Sequence, residues 1–543
     1  MKKFALSILM FMSSIAFAGQ SAGDLLGRLP VQDAGRLKPF DTFSREALQL
    51  IYGKSSYQGR DPNEIVLTWM LIPEHWLETD FVEIRHSGLK EALKLDKEVK
   101  YISPRALFTN ERLPLVFQEL QNLLQAKEKL NPYYSAVQRL ENQLGLFQAI
   151  QSGKAIRVVP QKNSDTWLSV AELDGPLKDA FVNMTKTFVE AVGKTQNAKE
   201  IPATPEFIQA LNDFKKLASA NAPENYANDQ RISVEVQFNH FRPFLWAWMA
   251  YLVGVLSLII FMVSGREWAS KVSWVFLPLG FLLHAYGLAL RVYLAGRPPV
   301  SNMYETVVWV PLGVMFFGFV LGHLQKNRVL LLCSATVAIF CLILTDLSPT
   351  VLDGSIQPLE PVLRSTFWLS THVLIITISY AAFFLAFAIG DLNLFYYLKD
   401  EKHFLKQIDQ GTKSIYRSIQ IGVVLLAGGI ILGGIWADYS WGRFWGWDPK
   451  ETWALIALLG YLALLHGRLV GWVKNFELAA GAVVAFSLVI MSWYGVNFLL
   501  GAGLHTYGFG AGGVEYVVGF VILQLSYVAY VTTVRYGRLK QKS

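Results

Sequence analysis

Cysteine is nearly absent from this chain of 543 residues, which has only Cys333 and Cys341. They lie eight residues apart in one apolar run, about 12 Å along a helix and too far to bridge each other. No disulfide framework or cysteine metal site follows, and the lack of any Cys-x-x-Cys pair argues against thiol reduction. Charge is also scarce. Charged residues make up 17% of the sequence against 52% hydrophobic and 13% aromatic, too oily for an ordinary soluble enzyme and expected of a membrane protein. The net charge of +7 does not point to nucleic acid, because the basic residues fall largely in short loops between apolar runs, where they set orientation.

The N-terminal part lacks any run long enough to span a bilayer. Residues 1–18 carry Lys2 and Lys3, an apolar stretch from Phe4 to Ile15 and Ala16-Phe17-Ala18, the pattern of a secretory signal peptide with an A-x-A site. Residues 19–240 then read as an extracytoplasmic soluble domain, mostly helical. Val137, Leu140, Leu144 and Phe147 recur at helical spacing, as do Leu177, Phe181, Met184 and Phe188. Thr204-Pro205 announces a third helix as N-cap and first-turn proline. Arg231 to Phe238 alternates like a short strand, and Val31 to Pro39, rich in turn formers, reads only as a loop. His75 and His86 stand apart from any catalytic grouping, and the role expected of this domain is docking a partner.

From residue 241 to 543 the chain changes character. Apolar runs of about twenty residues fall near 243–263, 273–294, 304–323, 328–345, 371–391, 417–436, 451–471, 478–499 and 514–534. The fold class expected is therefore mainly α, a polytopic helical membrane protein with about nine spans. With the N-terminal domain outside, the inner loops carry Arg266, Lys271, Lys326, Arg328, Lys399, Lys402, Lys406, Lys413, Arg417, Arg468, Lys474, Arg535, Arg538, Lys540 and Lys542. The outer loops carry only Arg297, Arg364, Arg443 and Lys450, which agrees with the positive-inside rule. The expected location is a bacterial inner membrane, with the C-terminus cytoplasmic.

This topology puts Trp441-Gly442-Arg443-Phe444-Trp445-Gly446-Trp447-Asp448-Pro449-Lys450-Glu451 outside, within a loop at 437–451. Two readings fit tryptophans at such a place, an interfacial aromatic belt or a stacking platform for a large planar ligand. Two histidines fall on the same side, His372 at the mouth of the fifth run and His505 in a glycine-rich loop. Neutral imidazole serves iron in haem proteins, so a histidine pair flanking an aromatic slot suggests haem. His284 and His466 lie within spans, where ionisable groups are functional candidates, with interhelical hydrogen bonding as the alternative.

The tryptophan stretch resembles the tryptophan-rich WWD motif of haem-handling proteins, specifically the CcsA (ResC) type of System II cytochrome c biogenesis. The resemblance continues through Arg291, through Gly296 to Glu305, and through His372, His466 and Gly503-Leu504-His505-Thr506-Tyr507, covering most of 270–534. It implies haem b as substrate, bound by His372 and His505 as external axial ligands against Trp441, Trp445, Trp447 and Asp448, with Trp453 nearby. It also implies an inner haem site at His466, with His284 as its partner, haem transport outward, and haem lyase activity on an apocytochrome c bearing Cys-x-x-Cys-His. The chain has no Cys-x-x-Cys-His of its own and so is not itself a c-type cytochrome. No large CcsB half is evident, so a separate ResB/CcsB-like membrane protein is an expected partner, and thiol reductants acting on the apocytochrome are another.

Arg443 and Lys450 are candidates to pair the haem propionates. Asp448, followed by Pro449 and Glu451, reads as an N-cap with a capping-box partner, which ties the platform to a helix start. A haem exporter or chaperone like CcmC, a CcmF-type ligase and a polytopic transporter of another solute remain as alternatives.

Overall fold

The chain divides between His240 and Phe241 into two units. The structure, a computed structural model, describes residues 21–126, 128, 130–194, 200–226, 229–348, 351–359, 366–500 and 513–541. The signal segment at 1–18 and His505 lie outside the described residues.

In the first unit the helices expected from periodicity form. Asn131 caps Pro132–Gln151 by accepting from the Tyr134 amide, and Thr204 caps Pro205–Asn221 by accepting from the Phe207 amide. Phe181, Met184 and Phe188 of Gly175–Lys194 are buried in the core. Two local expectations fail. Val31 to Pro39 is no loop but a hairpin, β1 (Pro30–Asp33) and β2 (Arg36–Pro39), paired antiparallel. Its two-residue turn, Ala34-Gly35, holds both φ angles positive (47° and 75°), the geometry that matches strand twist. Two more pairs follow, β3 (Val82–Glu83) with β4 (Tyr101–Ile102), and β5 (Arg157–Gln161) with β6 (Ser164–Ser169); β5 also joins β1, giving a sheet of order β2-β1-β5-β6. The second failure is Arg231 to Phe238, expected as a strand, which lies in the helix Asp229–Phe241. Ile232, Glu235 and Val236 are its buried residues, spaced for one helical face. Long-range bonds hold that face: Glu235 accepts from Arg36 at 2.8 and 3.0 Å and from Thr42 at 2.8 Å.

Glu64 yields a pH prediction for this unit. Its side chain is buried and accepts from the Ile201 amide at 2.9 Å. Burial is the leading cause that raises its carboxyl to about 7, and the charge of Asp61 adds to the shift. A native-state value above the unfolded one means the native form binds the extra proton, so stability falls as pH rises from about 4.5 to about 7. Glu64→Gln is therefore expected to raise the thermal unfolding midpoint at pH 8 and leave it nearly unchanged at pH 4.5. A difference between variant and wild type that does not change with pH would refute this.

In the second unit nine helices among the described residues are long and apolar enough to cross a membrane. Their α-helical parts are α1 (Pro243–Ser264), α2 (Glu267–Ala295), α3 (Met303–Leu324), α4 (Val329–Leu347), α5 (Leu374–Asp400), α6 (Leu405–Trp441), α7 (Pro449–Leu469), α8 (Asn475–Ile490), whose span continues to Leu500, and α9 (Val514–Lys540). α5 is central, packing on α3, α4, α6, α8 and α9. Phe383 of α5 stacks on Tyr461 of α7 with centroids 3.8 Å apart, beside Gly422 of α6, where a Cβ would come within 2.5 Å of the Phe383 ring. Two π-helical segments extend the bundle, Leu369–Val373 before α5 and Met491–Leu500 after α8. Such turns are rare and concentrate at functional sites.

α6 departs from expectation at both ends. It starts at Leu405, so Lys406, Lys413 and Arg417 lie on a helix and not in a loop. It also runs on through Trp441, so the connection to α7 is residues 442–448 and not 437–451.

Candidate functional site

The tryptophan-rich connection is built by its two flanking helices and one carboxylate. Gly442 ends α6 in the left-handed region at φ 69°, its amide donating to the Asp438 carbonyl at 2.9 Å. Asp448 begins α7 as its N-cap, accepting from the Lys450 amide at 3.0 Å, with Pro449 in the first turn and the capping box closed by Glu451. Glu451 does more than complete the box. It accepts from the Asp448 amide at 3.2 Å, from the Gly446 amide at 2.8 Å and from Arg443 Nη1 at 3.2 Å. The Arg443 guanidinium lies 5.7 Å from the Trp441 ring centroid and occupies the place a Cβ would take at Gly446, so a side chain there would displace it. Trp447 takes a left-handed backbone at φ 56°, which costs about 1–3 kcal/mol for a non-glycine residue and needs surrounding bonds to hold it.

This folding separates the tryptophans. Trp445 faces a cavity of about 180 Å³, together with Phe444, Lys450 and Glu451. Trp441 and Trp447 do not line it; Trp447 is 69% exposed and stands edge-on to Trp445 at 5.7 Å. Trp453 is half-buried in α7 and also off the cavity. The cavity's other walls are Val300 to Met303 at the start of α3, His372 to Tyr380 around the first π-turn, Ile430 to Trp436 of α6, and Ser492, Trp493 and Asn497 of the second π-segment. A cavity near 150 Å³ takes one benzene, so this one has room for about one aromatic ring.

His372 is the metal-ligating residue type on that wall. Its Nδ1 lies 2.8 Å from the Gly429 carbonyl, and a carbonyl can only accept, so Nδ1 carries the hydrogen and the neutral ring's lone pair is on Nε2. Fixing one imidazole nitrogen on a backbone carbonyl is the usual way a protein orients a histidine ligand. Glycines of α6 make room for it. A Cβ at Gly433 would come within 2.5 Å of His372 Cε1, and one at Gly434 within 2.6 Å of Phe444. Trp436 flanks the imidazole edge-on at 5.7 Å. The paired glycines Gly428-Gly429 and Gly433-Gly434 were the sequence signal for this approach. Glu451 as the centre of the connection had no signal beyond its capping-box position.

The two histidines within spans have different surroundings. His284 is fully buried between α1, α2 and α3, its Nε2 2.8 Å from the Val308 carbonyl and its Nδ1 3.4 Å from the Tyr251 hydroxyl. Both nitrogens are engaged by protein, which is the interhelical hydrogen-bonding arrangement. His466 lies in the last turn of α7, exposed, with Nδ1 2.8 Å from the Leu462 carbonyl of its own helix. α2 packs on α1 and α3, and α7 on α6 and α8, so the structure does not bring these two histidines together as a pair. Arg443 and Lys450 also part company: Arg443 is directed to Glu451, whereas Lys450 lines the cavity.

One further cluster supports the wall that α3 contributes. Arg291, 1% exposed, donates from Nε to Glu305 at 3.0 Å and from its other nitrogens to the carbonyls of Gly354 (2.8 Å) and Ser355 (3.3 Å). Glu305 also accepts from the Ser301 amide and hydroxyl at 2.8 and 2.6 Å, and Arg297 holds the Gln357 carbonyl at 2.7 Å. A buried carboxylate and guanidinium are tolerated when each is paired and hydrogen-bonded in this way. Asn302 then caps α3 by accepting from the Glu305 amide at 2.8 Å, which sets residues 300–303 against the cavity.

Comparison with known proteins agrees with this architecture. The family model described as "Cytochrome C assembly protein" matches residues 300–505. The chain is 32% identical over 297 residues to the cytochrome c biogenesis protein CcsA of Prochlorococcus marinus, covering 48% of this chain and 91% of that one. It is 35% identical over 259 residues to the CcsA of Chlorella vulgaris, covering 41% and 81%. Protein NrfI of Wolinella succinogenes is 29% identical over 510 residues, 89% of this chain, so that likeness extends through much of the N-terminal unit. The chain spans only about half (54%) of the length of NrfI. With nine helices among the described residues long and apolar enough to cross a membrane, the likeness to proteins named for cytochrome c biogenesis over nearly their whole length places it: the chain belongs to the CcsA family of cytochrome c biogenesis membrane proteins.

Proposed function

We propose that this protein binds haem b as its substrate beside His372 and promotes its covalent attachment to the Cys-x-x-Cys-His segment of an apocytochrome c, a haem lyase activity. The observation that carries this reading is the meeting, on one cavity, of an imidazole fixed in a ligating tautomer with the tryptophan connection. His372 serves as one axial ligand through Nε2, and His505 serves as the other. Trp445, Trp436 and Trp493 hold the edge of the macrocycle, and Lys450, which lines the cavity, pairs a propionate in preference to Arg443. Asp448 and Glu451 act on the connection and not on the reacting atoms.

Attachment needs no redox chemistry of this chain. Each thiol S–H adds across a vinyl C=C, so sulfur bonds one carbon and the proton goes to the other, and no electrons are gained or lost. The protein's residues contribute by positioning, which can supply about 7–11 kcal/mol of a barrier. In this reading the cavity faces the outside of a bacterial inner membrane, the C-terminus is cytoplasmic, and haem arrives from an inner site at His466. His284, with both nitrogens engaged, is read as a packing residue, so the second inner ligand comes from a ResB/CcsB-like partner.

The test is co-expression with a Cys-x-x-Cys-His apocytochrome, with and without a ResB-like protein. The expected outcome is a bis-histidine haem spectrum on the purified protein and thioether-linked haem on the apocytochrome. Bound haem with no thioether product under either condition would instead make the protein a haem chaperone, and colourless protein from haem-replete cells would falsify both readings.

A further inference from the structure

A second, larger hollow of about 700 Å³ lies away from the haem cavity, on the outside of the helices that build it. α2, α3, α5 and α6 line it, with Phe281, Trp309, Phe316, Val424 and Leu425 forming apolar walls and Gln420 the one side-chain amide. Trp309 closes it toward the cavity: its indole donates to Thr377 at 3.1 Å, and Thr377 lines the haem cavity.

α6 gives this groove a chemical direction. Lys413, Arg417, Gln420 and Val424 follow one another at four-, three- and four-residue steps, the spacing of a single helix face, and all four are exposed. The face therefore passes from two cations through an amide to an apolar wall. Gln420 has no hydrogen-bond partner among the described residues, and an unpaired amide at the edge of hydrocarbon is unfavourable unless something accepts from it. Asp409, one turn before Lys413, accepts from Asn475 at 2.8 Å. Ser414 ties the start of α6 to Gln325 at the end of α3, donating to its side-chain carbonyl at 2.7 Å.

We infer that this groove is a binding site for one anionic phospholipid of the bilayer, with its phosphate on Lys413 and Arg417, a glycerol ester carbonyl accepting from Gln420, and an acyl chain along Trp309, Phe316 and Val424. Acyl chains fit a groove whose walls are apolar apart from one amide, and juxtamembrane cations favour anionic over zwitterionic headgroups. The inference does not depend on what the cavity beside His372 binds.

The full chain, purified in detergent and titrated with phosphatidylglycerol or phosphatidylethanolamine, is analysed by native mass spectrometry. Wild type is expected to retain one phosphatidylglycerol with about thirtyfold preference over phosphatidylethanolamine, as two surface cations provide. Lys413→Gln with Arg417→Gln should abolish the preference, and Val424→Trp, at an exposed position, should remove the bound lipid of either class. Equal retention by Val424→Trp and wild type overturns the site. A phosphatidylglycerol preference that survives the double charge substitution overturns the headgroup assignment.

Discussion

Replacing His372 by alanine is expected to abolish the haem spectrum of the purified protein and to lower thioether formation on a co-expressed apocytochrome by more than 100-fold. Losing an outer-shell partner of a metal ligand already costs about 10- to 100-fold, and here the ligand itself is removed. A second variant separates loss of the ligand from loss of the fold. Gly433→Ala keeps the imidazole but places a Cβ within 2.5 Å of His372 Cε1, so the ring must turn away from the Gly429 carbonyl. Its haem affinity is expected to fall about 10-fold with a shifted spectrum. His372→Gly supplied with free imidazole should regain part of the spectrum. A His372→Ala protein that still binds haem with an unaltered bis-histidine spectrum would show that the iron is held elsewhere.

Glu451→Ala is expected to produce the next largest loss. The substitution strands the amides of Gly446 and Asp448 and the guanidinium of Arg443 together, and hydrogen bonds to a charged group contribute about 1.5–3 kcal/mol each. With the connection loosened, Phe444 and Trp445 lose their places, and attachment should fall about 100-fold while haem bound through histidine persists. Asp448→Asn keeps a capping side chain and should stay near wild type, whereas Asp448→Ala should cost about 1 kcal/mol of helix stability. These arms read different quantities, thioether yield against haem content and protease resistance of residues 442–448. Equal attachment by Glu451→Ala and wild type would leave the connection without the organiser assigned to it.

Much of this was legible in the sequence because its causes are local. A span needs about twenty uncharged residues, and a helix start needs an oxygen followed by Pro and Glu, so the membrane helices and the Asp448 cap could be read directly. His372 could be singled out for its place beside a span. What escaped depends on distant partners. The helix Asp229–Phe241 follows from Glu235 meeting Arg36 and Thr42 nearly two hundred residues earlier, and its alternating sequence misleads without them. The β1–β2 hairpin turns on Ala34, a residue with little preference for positive φ. Charges at Lys406, Lys413 and Arg417 suggested a loop because a span excludes them, yet a helix can project beyond the bilayer with its charges in water. Arg443 could not be assigned between haem and Glu451 from composition, since either anion suits it.

The Arg291–Glu305 pair bears on how the protein enters its membrane. Arg291 lies four residues before the end of α2 and Glu305 in the first turn of α3, and an ionisable group buried at the end of a span is unfavourable unless it is paired. Only fourteen residues separate the two, and the turn between α2 and α3 brings them to 3.0 Å. The second and third spans are thus suited to leave the translocon as one hairpin, with opposite charges neutralised before either helix meets lipid. Carbonyls of Gly354 and Ser355, synthesised some fifty residues later than Glu305, then complete the coordination of the guanidinium. The order of synthesis is also the order in which this polar knot can be tied.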